Sequence, residues 1–194
     1  MKVEIAFRWE DMECERGVAY KFPGAPTPHM KKYRIPGVYR WAIFDQGGTL
    51  KPAYVGEAEN FERRLKNYLK PGKTQHTSLR IRAALDEYEA QGRDIRFQLV
   101  SFDTFSINSC NFDCSQLADP FAREVIENLV VLEASNSGCK VLNKGIGVTQ
   151  KKVELAVKAI TETLNPAQKA ELIKKLMESV TAQKAQGASP GGAE

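Results

Sequence analysis

Pro36-Gly37-Val38-Tyr39 and, beyond a hydrophobic run and a turn, Tyr54-Val55-Gly56 form the stretch that decides how this chain folds. Each tyrosine lies close to a glycine within a short strand-like run. Between the runs stands Asp45-Gln46-Gly47-Gly48-Thr49, a cluster of turn formers. Residues 37–56 therefore read as a β-hairpin that brings two phenols together. A helix is expected at once, over 58–69, with Phe61, Leu65, Tyr68 and Leu69 at helical spacing. Its Glu62-Arg63-Arg64-Leu65 aims a guanidinium at the same place. Paired phenols beside an arginine point to phosphodiester chemistry rather than to packing alone.

Working outward, Pro71-Gly72 ends that helix and Thr77–Ala90 reads as a second one, stopped by Gln91-Gly92. Ile95 to Phe102 alternates apolar and polar residues and predicts a strand with one solvated face. Pro120 opens a helix to about Ser135, since proline is tolerated in a first turn whose N–H groups lack partners anyway. Upstream, the alternating Val3-Glu4-Ile5-Ala6-Phe7-Arg8-Trp9 is a candidate added strand, followed by the turn-rich Phe22 to Pro28. Helices are expected at 149–163 and 166–184. The organisation read from this is an N-terminal extension (1–34), a core domain (35–147) with a polar insertion (103–118), a C-terminal helical extension (148–184) and a disordered tail (185–194). The element order predicts an α+β fold, a small antiparallel sheet of three to four strands flanked by helices.

Composition bounds the function. A chain of 194 residues with formal charge +4 permits nucleic-acid binding without demanding it. No run of about 18 apolar residues suggests a membrane span. The first residues lack a signal-peptide pattern, and four scattered cysteines suit a reduced, cytoplasmic protein. Cys110 and Cys114 have the spacing of half a zinc site. A second half has only His29 and His76 to draw on, so structural zinc is not expected.

Taken as an ordered set, Gly37-Val38-Tyr39, Tyr54-Val55-Gly56 and the run to Leu65 resemble the GIY-YIG nucleases, in particular phage homing endonucleases and the excision-repair incision subunit. The resemblance covers roughly residues 35–145. It implies a Mg²⁺-dependent DNA endonuclease, with Mn²⁺ able to substitute. By this resemblance Tyr39 and Tyr54 are the signature tyrosines and Arg64 the helix arginine. Tyr68 takes a position held by histidine or tyrosine, Glu127 is the metal-binding glutamate and Asn143 the asparagine that closes the module. Many members carry a lysine where this chain has Glu57.

The chemistry suits these roles. Phosphodiester hydrolysis needs an in-line nucleophile, a stabilised leaving oxygen and charge neutralisation at phosphorus. A single carboxylate suffices for Mg²⁺, which keeps waters and takes phosphate oxygens as ligands. Arg64 would grip the phosphate through its planar fork. Tyr39 would help take the proton from the attacking water, although a free phenol has a pKa near ~10. Glu133, close to the apolar face of the same helix, is a rival metal ligand, because a buried carboxylate needs a partner. Lys70, Lys73, His76, Arg80 and Arg82 form a candidate DNA-contacting cluster, read equally well as a solvated helix face. A homodimer is the simplest way to cut both strands with one site per subunit. The rival reading is a non-catalytic nucleic-acid-binding or interaction module that keeps the fold. RNA cleavage is a third, since the module reads phosphates.

Overall fold

The computed structural model describes residues 3–107, 110–112 and 114–143. The expected helices at 149–163 and 166–184 and the tail lie outside them. The hairpin forms as read. Strands β4 (Gly37–Phe44) and β5 (Leu50–Ala58) pair antiparallel, with Tyr39 opposite Gly56 and Trp41 opposite Tyr54. Asp45 closes the turn by accepting the N–H groups of Gly47 and Thr49 on Oδ1, and Gly48 supplies the positive φ of 74°.

The sheet is larger than three to four strands and is mixed rather than purely antiparallel. Its order is β1 (Val3–Asp11), β6 (Asp94–Ile107), β4, β5 and β8 (Lys140–Val141). The N-terminal run becomes β1 (Val3–Asp11), antiparallel to β6 (Asp94–Ile107) from Val3–Ile107 to Asp11–Gln98. Thus residues 1–34 supply a sheet strand. They also supply a small hairpin, β2 (Glu13–Glu15) and β3 (Val18–Ala19). Strand β6 runs five residues past the expected Phe102, because β1 gives that length of backbone a partner. Within 103–118, β7 (Cys110–Phe112) folds back on Phe105–Ile107, and a 3-10 turn spans Cys114–Ala118. Strand β8 (Lys140–Val141) is parallel to β5 at Pro52 and Ala53.

Helices cover both faces. Helix α1 (Phe61–Leu69) starts later than expected, since Ala58 still belongs to β5 and the Asn60 side chain caps the helix by accepting the Arg63 N–H at 2.8 Å. Helix α2 (His76–Ala90) begins one residue early, taking in His76. Both pack with Met12, Tyr20, Phe22 and Met30 over Tyr39, Trp41, Tyr54 and Phe97. Helix α3 (Pro120–Asn136) lies on the other face, with Ile126 and Val130 against Val38 and Val55. Trp41, Tyr39 and Phe97 are fully buried, and each such side chain contributes ~1.5–3 kcal/mol through burial. No helix among the described residues is long and apolar enough to cross a membrane.

Candidate active site

The hairpin register places the Tyr39 phenol over Gly56, where any side chain would meet it. A Cβ on Gly56 would come within 2.7 Å of Tyr39 Cζ and closer still to its hydroxyl. Gly37 makes equal room for Phe61, whose Cζ would lie 2.6 Å from an added Cβ. Both signature glycines thus admit an aromatic ring. Tyr39 stacks on Phe97 with ring centroids 4.8 Å apart, and Tyr54 and Tyr68 complete the cluster at 6.4 and 6.2 Å from it.

The polar tips meet as well. Arg64 Nε donates to Tyr39 Oη at 2.9 Å, and Tyr39 and Tyr68 share a hydrogen bond of 2.7 Å between their hydroxyls. The Arg64 guanidinium also lies 4.8 Å from the Tyr68 ring centre. Burial pushes both phenols above the ordinary tyrosine range, with the neighbouring phenols adding to it and Arg64 working the other way. These phenols hold their protons at neutral pH. Desolvation works against the Arg64 charge, but the hydrogen bond to Tyr39 and the surrounding tyrosines work for it, and the net direction is upward.

Arg64 opens onto a depression of about 340 Å³ lined also by Glu57, Glu59, Asn60, Arg63, Asn67 and Arg123, in which Arg63 pairs with Glu59 at 2.7 Å. Glu57 stands where the resemblance expects a lysine. Its carboxylate accepts Arg123 Nε at 2.7 Å, and Arg123 Nη1 donates to the carbonyls of Leu117 and Ala118 at 2.8 and 2.9 Å. The Arg123 side chain is 6% exposed, that of Glu57 38%. The excess carboxylate is therefore matched by a buried guanidinium from α3. Arg64 and Arg123 come from opposite faces of the sheet and meet at the end of β5. The sequence reading passes over Arg123. Its signal was spacing: three residues before Ile126 and seven before Val130, it falls on the buried stripe of α3, where a guanidinium demands an acid.

Glu127 lies one helical turn beyond Arg123 and is half-exposed. Among the described residues no three His, Cys, Asp or Glu side chains gather into a closed metal cage. A half-exposed carboxylate suits a hard cation that keeps its waters and takes phosphate oxygens. Glu133 is exposed and acts on Arg40 and Cys139. Arg40 neighbours Tyr39 in β4, so its side chain points to the opposite face. Burial lowers Arg40 to about 10, with Cys139, Glu133 and Asp11 opposing.

Asn143 holds the other edge of β5. Its Oδ1 accepts the Val55 N–H at 3.0 Å and its Nδ2 donates to the Val55 carbonyl at 2.8 Å, continuing the pairing that β8 begins. The expected DNA-contacting cluster divides. Lys70 and Lys73 are exposed, and His76 lines a second depression with Arg64. Arg80 donates to the Leu142 carbonyl at 2.8 Å. Arg82 donates to the Leu69 carbonyl, pairs with Asp86 and lies over the Phe22 ring at 4.6 Å. These two arginines hold tertiary structure. No family model, no curated protein and no solved structure matches this chain.

Proposed function

We propose that this protein is a divalent-metal-dependent endonuclease that hydrolyses phosphodiester bonds in DNA through a GIY-YIG-type site. The observation that carries the reading is the buried Tyr39–Tyr68 pair hydrogen-bonded to Arg64, whose guanidinium lines an open depression in which Arg63 and Arg123 are matched by Glu59 and Glu57. Packing needs none of these polar tips. An arginine fixed through Nε keeps both terminal nitrogens for a planar phosphate grip.

In this reading a phosphate entering the depression meets Arg64. Tyr39 holds the guanidinium plane in place, accepting from Nε and sharing its hydroxyl proton with Tyr68. The raised phenol pKa values support orientation by these tyrosines rather than deprotonation of water in the resting site. Hydrolysis forms a bond from water oxygen to phosphorus and breaks the bond from phosphorus to the leaving sugar oxygen; the water gives up a proton and the leaving oxygen gains one. Glu127 would hold Mg²⁺ or Mn²⁺, which when bound neutralises phosphate charge and lowers the pKa of a coordinated water. Asn143 secures the strand that carries Tyr54. Arg123 offsets Glu57, whose carboxylate would otherwise repel the phosphate.

Glu57 also favours a second reading, a nucleic-acid-binding module without catalysis, because this acid lines the depression and its side chain is 38% exposed. Supercoiled plasmid incubated with Mg²⁺ or Mn²⁺, against EDTA and against Glu127→Ala, separates the two. The nuclease reading expects metal-dependent nicking lost in the variant. Salt-sensitive binding with no nicking by the wild type supports the module.

A further inference from the structure

A second groove, of about 660 Å³, runs along α1 on the side away from Arg123. The Pro23–Pro26 loop forms one wall, and Lys66, Lys70 and Arg82 stand on the other, with no acid among the lining residues. Lys66 and Arg34 share the single carboxylate of Glu62 at 2.6 and 2.5 Å. Arg82 is matched by Asp86, while Lys70 has no ion pair among the described residues. Three cations thus line the groove, one of them sharing its carboxylate with Arg34 and one matched by Asp86, and the groove stays positive. Pro23, Pro26 and Leu69 give it apolar faces. Asn67 lines both this groove and the depression around Arg64, so the two lie on either side of that side chain.

We infer that this groove binds a single-stranded stretch of nucleic acid next to the scissile phosphate, so that the preferred substrate carries an unpaired segment beside its cleavage point. The inference rests on the nuclease reading of the Arg64 site. Cations along one wall match a phosphate backbone, as in single-strand binders, and the rings of Pro23 and Pro26 on the other wall offer apolar faces to bases. The volume lies in the ~300–1,000 Å³ range of small-ligand pockets, which a stretch of one strand fills and a duplex does not enter.

Fluorescence anisotropy in EDTA tests this, with a labelled duplex bearing a single-stranded overhang against its blunt counterpart. The expected result is tighter binding of the overhang by about fivefold or more, the scale of one stacked base. Lys70→Ala should lower the salt slope of overhang binding by about 0.7, one phosphate contact on a single strand. Ala25→Trp, which fills the groove from its exposed wall without changing charge, should weaken overhang binding about fivefold or more and leave blunt duplex unchanged. Equal affinity for the two wild-type substrates, or overhang binding untouched by both variants, overturns the inference. If Arg64-dependent cleavage persists in that case, the nuclease reading survives it. Failure to bind either substrate overturns the inference as well, and loss of Arg64-dependent cleavage overturns the nuclease reading.

Discussion

Removing the Tyr39 hydroxyl tests the geometry at its centre. In Tyr39→Phe the ring keeps its stack on Phe97, at 4.8 Å, and its contacts with Tyr54 and Phe61. The oxygen that accepts Arg64 Nε and shares a hydrogen bond with Tyr68 is lost. Tyr68 is fully buried, so its hydroxyl cannot turn to water, and an unsatisfied buried group costs about 1–3 kcal/mol. Arg64 is half-exposed and partly rehydrates, so its loss falls at the low end of the ~1.5–3 kcal/mol for a charge-assisted bond. The two costs overlap at one atom, and about 2 kcal/mol of destabilisation is expected. With a urea slope near ~2 kcal/mol/M, the midpoint should fall by about 1 M. A double-mutant cycle with Arg64→Ala should return a coupling of about 1 kcal/mol, as for residues sharing one hydrogen-bond unit. An unchanged midpoint together with additive single effects would refute the network.

Other perturbations follow from the same contacts. Alkaline absorbance titration should find Tyr20, Tyr39 and Tyr68 silent through the ordinary tyrosine range, since burial raises all three. Their folded-state shift stabilises below the unfolded pKa near ~10, and that contribution is lost as pH rises through the folded values. Glu62 behaves oppositely: Arg34 and then Lys66 hold its carboxyl down at about 2, so its contribution is present above the unfolded value and fades as pH falls toward 2. Carboxyl NMR should place its midpoint near 2, and a midpoint in the ordinary glutamate range would contradict the paired arrangement. Glu57→Gln should destabilise by about 1–2 kcal/mol, because Arg123 keeps its two carbonyl bonds but loses its counter-charge; thermal melting that shows no loss counts against the pair. Asn143→Ala should speed hydrogen exchange at the Val55 amide. Asn143→Asp should speed it less, because a carboxylate oxygen still accepts the Val55 N–H while the other is set against the Val55 carbonyl.

Local signals carried much of this in the sequence. The hairpin is legible because Gly47-Gly48 and the Asp45 side chain make its turn without help from elsewhere. The Tyr39, Tyr54, Arg64 and Tyr68 cluster is legible because strand alternation and helical spacing both point to one face. Contacts made across long separations were not. Strand β1 meets β6 some ninety residues along the chain, and nothing local fixes that pairing. Arg82 looks like a solvated helix cation until Phe22 arrives beneath it. Arg123 carries no sign of its partner until the sheet brings Glu57 alongside. The roles of Asn143 and Arg80 as structural clamps likewise depend on where the chain returns after α3.

The central claim is that Arg64, oriented by Tyr39, grips a phosphate that is then cleaved. Its most direct measurement is the metal-dependent nicking rate of supercoiled plasmid for wild type, Arg64→Lys and Arg64→Ala, with folding of each verified by circular dichroism. Lysine keeps the charge but loses both the planar fork and the Nε bond to Tyr39, so both variants should fall by about 10²-fold or more. Metal-dependent nicking by wild type that either variant sustains at the wild-type rate would contradict the account.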